Sequence, residues 1–409
     1  MKRLLWLGSY LTDELAKEHA QLGYRNAASV VSQKNLLEGL EKNIGQRFSA
    51  ISLLSTHGTL KKKRIHIEER TFSHAEGVQD LQVGYLNIRY FNRLTGEIGL
   101  RKAVKRWMSG IDRKQDELDV FIYEMRSACL AAAKDIKRLM PSARVHLIVP
   151  DLPQFMDLHM SRVKKWLKEM DWRIIRKRMK YVDDFILYSE PMAKYLGIPD
   201  GKWMVMEGSI NIGEVGTCPT DEVEQEHGKT VVMYSGNVNE QYGIMHLVRA
   251  FEHLDDGYEL WITGGGNAVG QVKAYAAKDA RIKYYGFLPT RADLLALQRK
   301  ASIFINMRDP NEQSSAYCFP SKLFEYMTSG KPVLSCRLDG IPEEYFQYLI
   351  EMKEFDPAGI AEGIRKVGAM TLQERTMLGQ RQFAFIAENK NNVEQTKQIC
   401  RFLRGGIND

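Results

Sequence analysis

Short apolar runs alternate with amphipathic stretches along the first half of the chain. The apolar runs are RLLWLGSY, FSAISLLST, DVFIYEM, RVHLIVP and DFILYSE. Helical spacing of apolar residues, such as Val30, Leu36, Leu37 and Leu40, lies between several of them. Runs of strand length separated by helical patterns are typical of βαβ units, so this half is predicted to form a parallel α/β lobe.

The second half repeats the alternation more regularly. Its predicted strands are TVVMYSG, YELWITG, IKYYGF, SIFINM and PVLSC, and helical stretches such as IMHLVRAFEHL and RADLLALQRK follow them. Glycine, proline and acidic residues without periodicity separate the halves. We therefore predict an N-terminal Rossmann-like lobe at 1–211, a linker at 212–229, a C-terminal Rossmann-like lobe at 230–370, and C-terminal helices at 371–409 that partly return to the first lobe.

Composition narrows the class of protein without naming a function. The 409 residues are 44% hydrophobic and 27% charged, close to average globular usage. The five cysteines are scattered without metal-binding spacing, which favours a reducing compartment and no metal site. No signal peptide and no apolar window of membrane-spanning length is visible, so we expect a cytoplasmic protein.

Positive charge is concentrated in the first half. Residues 1–210 hold 36 Lys and Arg against 25 Asp and Glu, whereas the remainder holds 22 against 26. Within 162–180, the apolar residues Val163, Trp166, Leu167, Met170 and Ile174 recur at helical spacing among basic residues. This pattern predicts either an interfacial helix on anionic lipid or a helix that packs on the core with its other side solvated. On the first interpretation the membrane-facing residues are Lys164, Lys165, Trp166, Arg173, Arg176 and Lys177.

The stretch FPSKLFEYMTSG, at 319–330, carries the most specific candidate chemistry. Pro320 suits the first turn of a helix, so Ser321 and Lys322 are expected where free N–H groups attract a phosphate. Lys322 and Glu325 share one helical face, where the lysine could hold a diphosphate and the carboxylate a ribose diol. A plain surface ion pair between them is the alternative, and the spacing leaves both open.

Several motifs of residues 230–345 together resemble the donor-binding lobe of GT-B glycosyltransferases. They are YSGNVNEQYGIMHLVRAFEHL, LWITGGG, YYGFLP, ADLLALQRKASIFINMR and FPSKLFEYMTSGKPVLSCRLDGIPEEY. The likeness is to the retaining family-four type that builds bacterial surface polysaccharides. It implies two Rossmann-like lobes facing a cleft, with a C-terminal helix that crosses back to the N-terminal lobe.

The chain departs from that family at three positions. The first of two glutamates that the family separates by seven residues falls on Tyr317, while the second falls on Glu325. An arginine and a lysine that usually follow the first strand of this lobe are replaced by Asn237 and Tyr242. We hypothesise that Lys322 and Arg308, which flank the same loop, restore the missing positive charge.

The resemblance implies a set of site residues in both lobes. Gly8 and Ser9 would face the donor phosphates, and Asp151 would contact the donor sugar. The alternative for Asp151 is a loop or helix-capping aspartate. The implied catalytic residues are Asp151, Lys322 and Glu325. The implied donor-binding residues are Gly8, Ser9, Gly236, Asn237, Gly264, Gly265, Phe287, Arg308, Tyr317, Pro320, Ser321, Lys322 and Glu325.

The predicted function is retaining, metal-independent transfer of a sugar, such as a hexose, from a nucleoside-diphosphate sugar. The expected acceptor is a lipid-linked glycan of surface polysaccharide synthesis, met at the inner face of the cell membrane. No cofactor beyond the co-substrate and no nucleic acid is expected. Two alternatives stay open: a catalytically degenerate partner subunit, suggested by Tyr317, and a nucleotide-sugar epimerase, which would need clustered acids and histidines at the sugar.

Overall fold

The computed structural model of the chain describes residues 1–21, 27–54, 56, 65–88, 91–155, 162–218, 228–288 and 290–405. The chain divides into two compact units. The first lobe comprises Met1–Ser209 and Asn392–Asp409, and the second comprises Ile210–Asn391.

The first lobe is built on an eight-stranded sheet with a separate two-stranded sheet beside it. Its strands are β1 Lys2–Gly8, β2 Ser49–Ser52, β3 His66–Ile67, β4 Arg70–Phe72, β5 Asp80–Gln82, β6 Tyr85–Leu86, β7 Glu117–Tyr123, β8 Arg144–Val149, β9 Asp184–Leu187 and β10 Trp203–Val205. The large sheet has the order β10-β9-β8-β7-β1-β2-β5-β4 and is parallel except for the edge pair β4–β5. Strands β3 and β6 form the antiparallel pair.

Helices connect these strands as the alternating pattern predicts. They are α1 Asp13–Gln21, α2 Ala27–Ile44, α3 Asn92–Met108, α4 Ser127–Leu139, α5 Arg162–Arg178 and α6 Pro191–Leu196. The central strands are almost entirely inaccessible, and the side chains of Leu5, Trp6 and Leu7 are each 0% exposed. Continuous apolar runs of this kind are expected when helices cover a parallel sheet on its faces.

The second lobe is built on a six-stranded, wholly parallel sheet of order β13-β12-β11-β14-β15-β16. Its helices are α7 Ile212–Val215, α8 Ile244–Ala250, α9 Val269–Ala276, α10 Arg291–Arg299, α11 Gln313–Ala316, α12 Lys322–Met327, α13 Pro357–Gly368 and α14 Leu372–Asn389. Its strands are β11 Thr230–Ser235, β12 Tyr258–Thr263, β13 Ile282–Gly286, β14 Ile303–Asn306, β15 Val333–Cys336 and β16 Ile350–Met352.

The last helix returns to the first lobe, which confirms that part of the predicted fold. Helix α14 packs on α12 within the second lobe, and α15, Asn392–Leu403, packs on α2 in the first. The approach is close at Gly39, where a Cβ atom would lie 2.3 Å from the carbonyl oxygen of Asn392. Only glycine therefore allows the two helices to meet at this point.

All ten strands predicted from apolar runs are present, and the two-lobed parallel α/β class is confirmed. Strands β3 to β6, β10 and β16 have only two or three residues each and were not predicted, because so few residues show no period. The predicted linker at 212–229 begins with the helical turn α7. Its residues 219–227 lie outside the described part of the chain.

Candidate functional site

The loops that follow β11 and β12 are locked together at the carboxyl edge of the second sheet. The N–H of Val238 donates to the carbonyl of Gly265 at 2.9 Å. The N–H of Asn267 donates to Asn239 Oδ1 at 2.8 Å, and Asn267 Oδ1 accepts from the N–H of Glu240 at 3.0 Å. In parallel α/β sheets this edge is where ligands bind, so the two loops form one preorganised rim.

Glycines permit the close approach of these loops. Gly264 has φ +120°, and a Cβ atom there would lie 1.9 Å from the carbonyl oxygen of Gly236. The neighbouring Gly265 is exposed, with open space where a Cβ would project, and Asn237 is also exposed. The structure thus brings Gly236, Asn237, Gly264 and Gly265 together at one edge, as a shared site requires.

Helix α12 is fixed to this edge by a buried tyrosine that the sequence did not single out. Tyr326 Oη accepts from the N–H of Ser235 at 2.9 Å and donates to the carbonyl of Ser235 at 2.8 Å. The Tyr326 ring stacks on Phe304 with centroids 4.8 Å apart. Burial, with the nearby Tyr234 and Glu325, raises the pKa of Tyr326, so the hydroxyl stays neutral and keeps both bonds.

The start of α12 differs slightly from the prediction. The helix begins at Lys322 with Ser321 as its N-cap, so Pro320 precedes the helix instead of occupying its first turn. The carbonyls of Pro320 and Ser321 accept from the N–H groups of Leu323 and Phe324. Among the described residues, the N–H groups of Ser321 and Lys322 have no backbone acceptor.

Lys322 and Glu325 form the ion pair that their spacing left open. Lys322 Nζ lies 2.8 Å from Glu325 Oε2. The Lys322 side chain is 42% exposed and the Glu325 side chain is 33% exposed. Gln298 Nε2 donates to the other oxygen, Oε1, of Glu325. Exposed ion pairs of this kind contribute little stability, so a ligand can separate Lys322 from Glu325 at little cost.

Arg308 reaches the loop after β11 from the adjacent strand β14. Its guanidinium carbon lies 4.9 Å from the centroid of the Tyr242 ring. Arg308 Nε is buried without a hydrogen-bond partner among the described groups. The carbonyl of Arg308 accepts from Cys336 Sγ at 3.1 Å, which fixes its backbone. A cation thus lies beside Tyr242, one of the positions at which the resemblance lacks a positive charge.

Two further predicted donor-binding residues lie in loops of the same lobe. Phe287 directly follows β13, and its side chain is 79% exposed. Tyr317 follows the short helix α11, which interrupts the polar loop predicted there, and it is half-buried.

The first lobe presents a different arrangement around Gly8 and Ser9. Gln33 Oε1 accepts from the N–H of Ser9 at 3.0 Å and from Trp6 Nε1 at 3.2 Å. Gln33 Nε2 donates to Ser9 Oγ at 2.9 Å. A Cβ atom at Gly8 would lie 2.2 Å from Gln33 Oε1. The close packing of Gln33 is therefore the reason for a glycine at position 8. The N–H of Ser9, predicted to face a phosphate, is already hydrogen-bonded within the protein.

Asp151 lies two residues after β8 and is exposed. It belongs to the first lobe, whereas Lys322 and Glu325 belong to the second. The pair Asp183 and Asp184 has structural roles at the start of β9. Asp183 Oδ2 accepts from the N–H of Val145 at 2.8 Å, and Asp184 Oδ2 lies 3.0 Å from Arg144 Nη2.

Helix α5 turns the predicted apolar stripe outward. Its buried residues are Trp172 and Ile175. Val163 and Trp166 are each 62% exposed, and Met170 and Ile174 are each 39% exposed. Leu167 is half-buried. The helix thus packs on its lobe through Trp172 and Ile175, and most of the predicted stripe lies on its solvated side. The predicted membrane-facing residues are all exposed: Lys164, Lys165, Trp166, Arg173, Arg176 and Lys177.

A second exposed apolar stripe lies at the start of α3 and was not predicted. It consists of Phe91, Leu94 and Ile98, which are 60%, 59% and 44% exposed. Ion pairs connect α3 to α5, from Arg93 to Asp171 at 3.3 Å and from Glu97 to Arg178 at 2.8 Å. The two stripes therefore belong to neighbouring helices of one lobe.

A buried ionic cluster of His74, Glu41 and Asp80 was not predicted from the sequence. His74 Nδ1 lies 2.6 Å from Asp80 Oδ2 and its Nε2 lies 2.9 Å from Glu41 Oε1. Burial alone would lower the pKa of His74, but hydrogen bonds and charge from Asp80 and Glu41 outweigh burial and raise it to about 9. Burial would likewise raise the pKa of Glu41, but His74, the Phe48 N–H and Arg47 lower it overall.

Metal and membrane-spanning features are both absent from the described ranges. There, no three His, Cys, Asp or Glu side chains lie close enough to hold a metal ion. No helix in the same ranges has the length and apolarity needed to cross a bilayer.

Comparison with known proteins finds a similarity within the second lobe. Residues 229–369 match the family model described as Glycosyl transferases group 1. No curated protein sequence matches the chain.

Solved structures match the whole chain. Anabaena Alr3699/HepE in complex with UDP is 13% identical with a TM-score of 0.67, covering 99% of this chain and 100% of that one. The lipopolysaccharide outer core galactosyltransferase WaaB is 13% identical with a TM-score of 0.63, covering 100% of both chains. The trehalose-6-phosphate synthase OtsA is 10% identical with a TM-score of 0.65, covering 99% of both chains. The protein thus has the GT-B fold of two Rossmann-like domains, and residues 229–369 of its second lobe are similar to the glycosyl transferases group 1.

Proposed function

We propose that the protein is a glycosyltransferase that moves a sugar from a nucleoside-diphosphate sugar to a hydroxyl group of a glycan acceptor. One observation carries the proposal. The segment that matches the group 1 family, residues 229–369, is the segment whose strand-end loops bring Arg308, Lys322 and Glu325 to one sheet edge. The solved structures with the same fold include a complex with UDP and a galactosyltransferase.

The donor would bind along the carboxyl edge of the second sheet. Arg308 and Lys322 supply positive charge for the diphosphate, and Glu325 would accept hydrogen bonds from the two ribose hydroxyls. For this, the Lys322–Glu325 pair must open, so that the lysine turns to phosphate and the carboxylate to ribose. The exposed ring of Phe287 offers a surface for the base. The remaining donor-binding residues are Gly236, Asn237, Gly264, Gly265, Tyr317, Pro320 and Ser321. Gly8 and Ser9 are left out, because Gln33 packs against Gly8 and accepts the Ser9 N–H.

The proposed reaction retains the anomeric configuration without a protein nucleophile or a metal ion. The leaving diphosphate takes the proton of the incoming hydroxyl on the same face of the sugar. The protein's part is to position the reactants and to stabilise the charge that develops on the leaving group. Arg308 and Lys322 serve the second task, and Asp151 is proposed to contact the transferred sugar.

The acceptor is proposed to be lipid-linked, as in surface polysaccharide synthesis at the inner face of the cell membrane. The support is the exposed stripe on α5 with its basic neighbours, beside the exposed stripe on α3. Exposed tryptophan and aliphatic side chains among lysines and arginines suit the interface of an anionic bilayer. A peripheral attachment would place the enzyme beside such an acceptor.

A catalytically degenerate partner subunit is a second candidate. The observations that favour it are Tyr317 at the position of a family glutamate, and the engagement of both Glu325 oxygens by Lys322 and Gln298. Such a subunit would bind no nucleotide, or would bind it without turnover.

Nucleotide binding by matched variants tests the donor site. We expect one of uridine, guanosine, adenosine and thymidine diphosphate to raise the melting temperature of the wild type. Lys322→Ala and Arg308→Ala should each weaken that nucleotide by about 10-fold to 100-fold, because each removes a charge-assisted hydrogen bond.

Lys300→Ala is the matched control, because Lys300 is an exposed lysine of the same lobe at the end of α10. It should bind the nucleotide as the wild type does. Unchanged affinity in both site variants would contradict the assignment. Hydrolysis of the matching nucleotide sugar by the wild type would favour an enzyme over the partner subunit.

A further inference from the structure

Glu124 has an unusual backbone at the carboxyl edge of the first sheet. It directly follows β7 and has φ +72°, the single positive φ outside glycine among the described residues. In this left-handed region the Cβ atom of an ordinary residue crowds the backbone, which is why glycine usually occupies it. Non-glycine residues persist there where the surrounding structure fixes them, and such strain is concentrated at functional sites.

The place of Glu124 in the sheet is also special. Strand β1 has β2 on one side and β7 on the other, so the strand order reverses between β1 and β7. Ile122 pairs with Leu7, which places Glu124 two residues beyond that pair, beside Ser9. In open parallel sheets, ligands bind outside the carboxyl ends of the strands at this switch point.

A chain of hydrogen bonds holds the Glu124 carboxylate at the switch point. Gln33 Nε2 donates to Ser9 Oγ at 2.9 Å and to Ser29 Oγ at 3.1 Å. Ser29 Oγ in turn donates to Glu124 Oε1 at 2.8 Å. Glu124 is half-buried, and in the part of the chain that the structure describes its second oxygen, Oε2, has no hydrogen-bond partner. One oxygen is thus fixed while the other can accept from a ligand.

The charge around Glu124 indicates the kind of ligand. Burial raises the pKa of Tyr188, and the negative charges of Asp151, Glu124 and Glu207 add to that increase. Asp151, Glu124 and Glu207 each follow a strand of the first sheet by two residues or fewer, at its carboxyl edge. The nearest arginine along the chain, Arg126, donates its Nη1 to the carbonyl of Leu53 at 2.7 Å. A carboxylate-rich edge repels phosphate and accepts hydrogen bonds from hydroxyl groups.

We propose that Glu124 binds a sugar hydroxyl of the glycosyl acceptor at the switch point of the first sheet. The proposal rests on the proposed glycosyl transfer and adds the acceptor side of it. It also assigns the surroundings of Ser9 to an uncharged sugar in place of the donor phosphates.

The test uses acceptor-like sugars and nucleotides separately on the full chain. The probes in saturation-transfer NMR are methyl and octyl glycosides of glucose, galactose, mannose and N-acetylglucosamine. The octyl glycosides are used below the concentration at which they form micelles. At least one glycoside should bind the wild type, and Glu124→Gln should weaken it at least tenfold. Glu117→Gln changes an exposed glutamate at the opposite end of the same strand and should bind as the wild type does.

A second variant separates ligand binding from a structural role. Glycine adopts φ +72° without strain, so Glu124→Gly should keep or raise the melting temperature while losing glycoside binding. A lower melting temperature in Glu124→Gly, wild-type glycoside affinity in Glu124→Gln, or no glycoside binding to the wild type would each overturn the proposal.

Nucleotide affinity distinguishes failure of this inference from failure of the proposed function. It should be the same in the wild type, Glu124→Gln and Glu117→Gln, because Glu124 is assigned to the acceptor. If no nucleoside diphosphate binds any of them, the donor site itself is wrong, whatever the glycosides do.

Discussion

The two lobes are stabilised by different chemistry. In the second lobe neutral groups fix the loops, such as the Tyr326 hydroxyl on Ser235 and the amides of Asn239 and Asn267. In the first lobe an ionic cluster of His74, Glu41 and Asp80 is buried at the amino ends of β2 and β5, where Glu41 accepts from the N–H of Phe48 and Asp80 from the N–H of Ala50. Neutral bonds are insensitive to pH, whereas a buried ion pair depends on the protonation of both partners.

The charges offered to a ligand also differ. The second lobe places the cations Arg308 and Lys322 at its edge, which suits a diphosphate. The first lobe places the carboxylates Glu124 and Asp151 at its edge, which suits hydroxyl groups. A donor half that binds an anion and an acceptor half that binds a neutral sugar would need this difference.

Breaking the ionic cluster should have the largest effect on stability. His74→Gln removes the cation between Glu41 and Asp80 and leaves Glu41 paired with Arg47 alone, so we expect the free energy of unfolding near pH 6 to fall by about 3 kcal/mol. The pKa of His74 is about 9 in the folded protein, against 6.5 for an unperturbed histidine. The contribution is thus fully present below pH 6.5 and is lost as the pH rises through about 9.

The check is urea unfolding of the wild type and His74→Gln from pH 6 to pH 10. The difference between the two should shrink steadily across that range. His253→Gln alters a histidine in the second lobe and controls for the substitution itself. A difference that stays constant with pH would mean that the charge of His74 does not stabilise the first lobe.

Removing the Tyr326 hydroxyl should have an intermediate effect that does not depend on pH. Tyr326→Phe keeps the ring stacked on Phe304 but leaves the buried N–H and carbonyl of Ser235 without that partner. We expect a loss of about 2 kcal/mol in unfolding free energy, equal at pH 6 and pH 9, together with weaker nucleotide binding. The effect should be measured by urea unfolding at both pH values, and a marked pH dependence would contradict the neutral description of this edge.

Truncating the exposed stripes should have the smallest effect and should leave stability unchanged. Trp166→Ala and Phe91→Ala should each weaken binding to vesicles of anionic phospholipid by about 1 kcal/mol, or roughly fivefold, because each removes apolar area that would enter the interface. Sedimentation with anionic and zwitterionic vesicles measures this. Leu372→Ala, an exposed leucine of the second lobe, is the control and should bind as the wild type does.

Much of the fold could be predicted because its signals are local. The central strands are continuous apolar runs, and the helices between them carry regular apolar periods. The strands that were missed, such as β10 and β16, have three residues each and lie at sheet edges. Their pairing depends on the neighbouring strand, which no local pattern encodes.

The candidate donor site was only partly visible in the sequence. The stretch around Lys322 and Glu325 combines a helix start with a charged pair, which is a local feature. The sequence analysis missed Tyr326 at this site, and Gln33, Ser29 and His74 in the first lobe. Each of them hydrogen-bonds or pairs with a residue at least 24 positions away. Long-range partners of this kind arise only when the sheet is assembled.

By itself the sequence determined the two parallel α/β lobes, the unequal charge of its halves and the position of the candidate phosphate-binding motif. These follow from the periodicity of side chains and from residue type. Only the tertiary structure decided that the α5 stripe faces outward, that Arg308 lies against Tyr242, and that Glu124 occupies a strained turn at the switch point. Burial, long-range contact and backbone strain are properties of packed elements, because they depend on which distant residues the fold brings together.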